Sequence, residues 1–134
     1  MSLVLIVEDN LTFRNSLREM LAVRFPTVGI EEASDGAEAL HIISRTEPDL
    51  VFVDIKLPGR NGLELTRTIK SANSGINVII LTSYDIPEYR EAALLSGASH
   101  FFTKGNAGSD EIAAVVGSAL ERKGRLSGGA TPAY

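Results

Sequence analysis

Apolar residues along the chain switch repeatedly between short unbroken runs and stripes at the helical repeat, an alternation that predicts a parallel sheet with helices between its strands. Leu3-Val-Leu-Ile-Val7 is an apolar run of the kind buried on both faces of a sheet. Leu11, Phe13, Leu17, Leu21 and Phe25 then recur near the helical period and predict a first helix from Leu11 to Phe25. Val28 to Ala33 reads as a second strand, Gly36 to Arg45 as a helix with Ala37, Leu40 and Ile43 inward, and Leu50 to Val53 as a third strand, with Pro48 separating the last two. Leu57-Pro58-Gly59 and Asn61-Gly62 are turn chemistry. A helix from Leu63 to Ala72 and a fourth strand from Val78 to Leu81 follow, then a helix near Pro87 to Ser96 closed by Gly97 at a C-cap position. His100 to Thr103 form a short fifth strand, and Ser109 to Arg122 an amphipathic helix with Ser109 as its N-cap.

These five strand–helix units fill one domain, residues 1–123 of a 134-residue chain. A chain of this length buries roughly two-thirds of its unfolded surface and needs no staples. From residue 124 onward small residues dominate without a periodic stripe, which predicts a flexible tail or the start of a linker to an output domain outside the chain. No run approaches the roughly 20 apolar residues that span a bilayer, and Leu3–Val7 is too short for a secretory leader and leads directly into acid. A cytoplasmic location is therefore expected. With no cysteine and two histidines, a bound metal would be a hard, oxygen-ligated one. A net charge of −4 argues against this segment gripping nucleic-acid phosphates itself.

In open parallel sheets ligands bind beyond the carboxyl ends of the strands, where the strand order reverses. The predicted strands end in Glu8-Asp9, Asp54, Thr82 and Lys104. Each has an ordinary explanation alone: Asp9 or Asn10 as a cap for the first helix, Asp54 as a turn residue, Thr82 as a turn hydroxyl, Lys104 as a solvated lysine. Jointly they do not, because three carboxylates converging on one rim repel each other unless a cation sits among them. Mg²⁺ is the natural occupant. One divalent ion and Lys104 would balance Glu8, Asp9 and Asp54, and a near-neutral site admits a phosphoryl group. Phosphoryl transfer asks mostly for positioning and charge neutralisation, and a carboxylate can be its nucleophile. Asp54, on a central strand before a Pro-Gly loop, is the best-placed acid.

The segments Val-Leu-Ile-Val-Glu8-Asp9-Asn, Val-Phe-Val-Asp54-Ile-Lys-Leu-Pro58-Gly-Arg-Asn-Gly62, Ile-Ile-Leu-Thr82-Ser and Gly97-Ala-Ser-His-Phe101-Phe-Thr-Lys104 together resemble the response-regulator receiver domains of two-component signalling. The resemblance covers about residues 3 to 122. It implies a flavodoxin-like α/β fold: a doubly wound five-stranded parallel sheet in order 2-1-3-4-5, with helices on both faces. It also implies Asp54 as phosphoacceptor, Mg²⁺ held by Glu8, Asp9, Asp54 and the Lys56 main-chain carbonyl, and Lys104 paired with the phosphoryl group. Thr82 would move to hydrogen-bond that group, and Phe101 stands at the position of the family's aromatic switch. By two-residue alternation Phe101 and Phe102 point to opposite faces, so one of them is expected to lean outward.

The implied function is a switch, not a metabolic enzyme. It catalyses only its own phosphorylation and dephosphorylation, takes the phosphoryl group from a sensor histidine kinase, and alters the surface around its fourth helix, fifth strand and fifth helix. Homodimerisation on phosphorylation and transcription regulation through a DNA-binding output outside the chain fit the subgroup that Leu81-Thr-Ser-Tyr-Asp85 resembles. An aspartate-nucleophile phosphatase is the competitor, but it needs a second acid two residues after the nucleophile, where Lys56 stands. A flavin carrier would place its phosphate loop where Glu8-Asp9 would repel it, and a non-phosphorylated docking module would not require the full acid, threonine and lysine set. Two departures matter. Gly105 replaces the proline the family often has after the lysine, which predicts a looser loop. Lys56 and Tyr84 form a bulky pair beside the path of hydrolytic water in this family, which predicts a longer-lived phosphorylated form.

Overall fold

Ten elements alternate along the chain in the computed structural model, which describes residues 2–127, with side chains through residue 122. They are β1 (Leu3–Val7), α1 (Leu11–Arg24), β2 (Gly29–Ala33), α2 (Gly36–Thr46), β3 (Leu50–Val53), α3 (Gly62–Ala72), β4 (Asn77–Thr82), α4 (Pro87–Leu95), β5 (His100–Thr103) and α5 (Ser109–Ser127). All strand pairs are parallel, in the order β2-β1-β3-β4-β5. The predicted fold class is therefore the observed one. The order reverses between β1 and β3, so the crevice of the sheet opens above those two strands.

The unbroken runs predicted as two-faced strands are buried as such. Leu5, Val7, Val51, Val53, Val78, Ile80 and Phe101 pack on one side against Ala39, Ile42 and Ile43 of α2, Leu65 and Ile69 of α3, and Ala93 of α4. Val4, Ile6, Leu50, Phe52, Ile79, Leu81 and Phe102 pack on the other against Leu17 and Leu21 of α1 and Ile112 and Val116 of α5. Burying each large side chain of this kind contributes about 1.5–3 kcal/mol. Alternation sends Phe101 and Phe102 to opposite faces, yet both are buried. The expectation that one leans outward is corrected, because helices cover both faces of this edge strand.

Helix ends follow local chemistry. Asn10 caps α1 by accepting the Phe13 N–H at 2.9 Å, Asp35 caps α2 through the Glu38 N–H at 2.8 Å, and Asn61 caps α3 through the Leu63 N–H at 2.7 Å. At the end of α4 the Gly97 N–H donates to Leu94 and the Ala98 N–H to Ala93, a Schellman closure. Gly97 has the positive φ of 110° that this closure demands, as expected. Ser109 is not the cap of α5: the Gly108 carbonyl accepts the Ile112 N–H, which makes Ser109 the first helical residue.

The apolar stripe of α2 also differs from the expected one. Gly36, Ala39, Ile42 and Ile43 are buried, Leu40 is at the margin and Ala37 is exposed, so the buried stripe follows the i, i+3, i+6 and i+7 positions counted from Gly36. Leu11 is likewise exposed at the start of α1. α5 continues past the predicted Arg122 to Ser127, since Lys, Arg and Leu after Arg122 are strong helix formers and the cost of Gly124 is about 1 kcal/mol. The rest of the predicted tail, 128–134, lies outside the described residues. Among those described, no helix is long and apolar enough to cross a membrane.

Candidate phosphoryl and metal site

Strand register brings the candidate residues together. Val7 pairs with Val53, so the residues that follow, Glu8 and Asp54, stand side by side at the strand ends. Thr82 pairs with Thr103, which leaves Lys104 one residue beyond. Main-chain bonds hold this register past the strands: Glu8 N–H to Ala33 O at 2.9 Å, Asp54 N–H to Val7 O at 3.2 Å, and Lys104 N–H to Thr82 O at 2.8 Å. The alternative in which Asp9 caps α1 is decided by geometry. Asn10 does the capping, and Asp9 is exposed at the rim.

Carboxylate oxygens of Glu8, Asp9 and Asp54 lie within 4.8 Å of one another. The donors are all hard oxygens, and the spacing suits an ion that keeps part of its water shell. Glu8 and Asp54 are almost wholly buried, at 3% and 7% exposure. Lys104 Nζ bonds both, at 2.6 Å to Glu8 Oε1 and 3.2 Å to Asp54 Oδ2, and lies 4.5 Å from the centre of the Phe13 ring. Three partners hold the lysine in spite of the glycine that follows, and no peptide bond among the described residues is cis. Burial works against the Lys104 charge, but the Glu8 hydrogen bond and the fields of Asp54 and Glu8 outweigh it and hold its pKa above the ordinary lysine value. Burial pushes the Glu8 carboxyl above its ordinary value, helped by the Asp54 charge and only partly offset by Lys104 and the Asn10 N–H. One lysine among three acids leaves negative charge in excess, which is the electrostatic condition for taking up a cation.

Among the described residues two buried side-chain atoms have no hydrogen-bond partner, Asp54 Oδ1 and Thr82 Oγ1. Buried polar atoms are nearly always paired, and leaving one unpaired costs about 1–3 kcal/mol. Both orphans belong to the residues that sequence reasoning assigns to the phosphoryl group, so the residues present fit a cation and a phosphoryl group together.

Lys56 has an exposed side chain on the loop after Asp54, with Nζ 5.4 Å from the Tyr84 ring centre and 6.0 Å from that of Tyr89. The two rings meet edge to face at 6.2 Å. Lys56 and Tyr84 are therefore a contacting pair, with Tyr89 as a third member that the sequence does not reveal. The Phe101 ring is buried, with the Arg90 guanidinium carbon 4.7 Å above its centre. Gly62, read from sequence only as a turn, is a steric necessity: a Cβ there would stand 2.0 Å from the Asp54 carbonyl oxygen. The Gly62 N–H donates to Ile55 O at 2.7 Å, and Lys56 and Asn61 form a bridge that closes the loop.

Residues 4–116 match the response regulator receiver domain family. The chain is 39% identical over 101 residues to the chemotaxis protein CheY of Halobacterium salinarum, covering 75% of this chain and 82% of that one. It is 34% identical over 130 residues to the response regulator MprA of Mycobacterium sp. strain KMS, covering 97% of this chain but only 55% of the relative. Among solved structures, the signal receiver domain of a DNA-binding response regulator (merR) from Colwellia psychrerythraea 34H superposes with a TM-score of 0.86 at 25% identity, covering 90% of this chain and 99% of that one.

Proposed function

Because this chain belongs to the response regulator receiver domain family of two-component signalling, we propose that it is a phosphorylation-dependent switch whose acceptor is Asp54. The supporting observation is the pair of orphaned buried oxygens, Asp54 Oδ1 and Thr82 Oγ1, on the rim where Lys104 meets the acid cluster.

A carboxylate oxygen of Asp54 attacks phosphorus, the P–N bond of the kinase phosphohistidine breaks, and the imidazole leaves with the bonding electrons. Lys104 pairs with the arriving phosphoryl oxygens, exchanging part of its contact with Asp54 for them. The Thr82 hydroxyl gains its missing partner by donating to the same group. Glu8, Asp9, Asp54 and the Lys56 main-chain carbonyl would hold Mg²⁺, which when bound neutralises charge on the transferring group. Hydrogen bonds to charged groups contribute about 1.5–3 kcal/mol each. The one gained outright, from Thr82, shifts a two-state equilibrium roughly 10- to 150-fold.

The equilibrium so biased repositions the β4–α4 loop and the Phe101 ring, and so changes the surface of α4, β5 and α5. Leu94 and Leu95 are exposed there, at 51% and 82%, and supply apolar area for a phosphorylation-dependent homodimer or an output domain. The chain spans about half the MprA length. A cytoplasmic location, a sensor histidine kinase as donor, and a DNA-binding transcriptional output outside residues 1–134, joined by a linker that begins after α5, complete the reading. Regulation, not metabolic turnover, is its work.

The test is direct. Incubation with acetyl phosphate and Mg²⁺ adds one phosphoryl group by intact mass, and the adduct is absent in Asp54→Asn and after chelation. Equal labelling of Asp54→Asn would refute the assignment.

A further inference from the structure

Glu8 is pinned at every polar atom it has. Its N–H donates to Ala33 O at 2.9 Å, Oε1 takes Lys104 at 2.6 Å, and Oε2 takes the Asn10 N–H at 3.0 Å. Its carbonyl accepts Arg14 Nη1 at 2.6 Å. That carbonyl belongs to the peptide joining Glu8 to Asp9, so the bond from Arg14 fixes the plane of that peptide and, with it, the direction in which Asp9 leaves the main chain. Arg14 is itself held from the far side. Its Nε bonds Glu32 Oε1 at 2.9 Å, and the other Glu32 oxygen bonds Arg18 Nε, also at 2.9 Å. The Arg14 side chain is only 16% exposed, so its bonds compete weakly with water, and its planar fork meets two acceptors at once, which an ammonium cannot reproduce.

We propose that Arg14, braced by Glu32, is a positioning residue of the metal site: it sets the Glu8–Asp9 peptide so that the Asp9 carboxylate is presented to the cation already oriented. The inference rests on the reading of Glu8, Asp9 and Asp54 as the Mg²⁺ site, and it adds to that reading a residue from one turn into α1 that never touches the ion. The plainer role for the same contacts is to staple α1 to β2. The two roles separate because a staple needs only the Arg14–Glu32 ion pair, whereas positioning needs the bond to the Glu8 carbonyl as well.

Arg14→Met removes both contacts, and Arg14→Lys keeps a cation for Glu32 but not the fork. The readouts are Mg²⁺ affinity of the unphosphorylated protein, from amide chemical shifts at fixed pH and ionic strength, and Tm in chelator. Removing a group that orients a metal ligand typically weakens binding 10–100-fold. The Mg²⁺ dissociation constant is therefore expected to rise on the order of tenfold in both variants, while Tm falls in Arg14→Met and largely recovers in Arg14→Lys. Ile69→Val, in the core near the far end of α3, lowers Tm and leaves Mg²⁺ affinity unchanged. The proposal is overturned if Arg14→Met binds Mg²⁺ within twofold of wild type, if Arg14→Lys restores affinity together with Tm, or if Ile69→Val weakens Mg²⁺ as much as Arg14→Met. A wild type that takes up no Mg²⁺ would remove the site reading and this inference with it. Wild-type binding matched by both Arg14 variants would remove this inference alone.

Discussion

Replacing Gly62 by alanine should disable the acceptor without touching any charged group. A Cβ at this position stands 2.0 Å from Asp54 O, 2.8 Å from Asp54 C and 2.8 Å from Ile55 Cα. All three are main-chain atoms, so no side-chain rotation relieves the overlap. Reaching even a tight 3.0 Å contact requires the start of α3 and the end of β3 to separate by about 1 Å, and the 2.7 Å bond from Gly62 N–H to Ile55 O is stretched or lost with it. Overpacking of this kind costs about 1–3 kcal/mol, which for a domain of this size is a Tm drop of roughly 4–12 °C. The effect on chemistry is larger, because displacing a reacting group by about 1 Å can cost on the order of 100-fold in rate. The assay is the initial rate of acetyl-phosphate labelling by intact mass at saturating Mg²⁺, at a temperature where circular dichroism shows the variant folded. Gly105→Ala is the control, since nothing lies within 4 Å of a Cβ there and its φ is ordinary. Labelling of Gly62→Ala within threefold of Gly105→Ala, with the same Tm, would refute the reasoning.

Thr82→Val replaces a buried hydroxyl that has no partner by a group of the same shape, so it should raise the stability of the unphosphorylated protein by about 1 kcal/mol in urea melts while abolishing the phosphorylation-induced change in amide shifts around α4. Lys104→Met leaves Glu8 and Asp54 buried without their cation and should cost about 3 kcal/mol at pH 7, a loss that saturating Mg²⁺ reduces; an unchanged urea midpoint contradicts the pairing. Glu8 has a folded-state pKa raised above its unfolded value, so its favourable contribution to the metal-free protein is full below the ordinary value near 4.5 and is lost as pH rises through the folded pKa. Chelator-treated protein should therefore gain stability relative to Glu8→Gln on acidification toward pH 4.5, and a gain in the opposite direction sinks the assignment. Lys56→Ala or Tyr84→Ala, by breaking the 5.4 Å cation–ring contact beside Asp54, should shorten the lifetime of the phosphorylated form measured by mass decay, and unaltered fast decay would argue that the pair does not shield it.

The strands were legible because both of their faces are covered: a run such as Leu50-Val-Phe-Val53 has no polar alternative to confuse its period. The rim was legible for a related reason, since Glu8 and Asp54 follow apolar runs directly, Lys104 follows Phe101-Phe102 after one threonine, and strand register then decides which of them meet. What stayed hidden depends on distance in sequence. Arg14 looks like any polar residue on an amphipathic helix until Glu32 and the Glu8 carbonyl are found on either side of it. Tyr89 joins Lys56 only because the first turn of α4 stands beside the loop after Asp54. Gly62 carried a turn signal, but its reason, the Asp54 main chain at 2.0 Å from a Cβ, exists only once β3 and α3 are packed. Expecting one of Phe101 and Phe102 to lean outward failed because alternation gives the side of a sheet, and whether that side is wet depends on the helices that cover it.

Phe101 and Phe102 are adjacent in the chain, yet the sheet puts them in separate apolar compartments, one roofed by α2, α3 and α4 and the other by α1 and α5. Side chains of the two compartments meet only through the sheet between them, so the losses from trimming one core residue on each side should add in a melt.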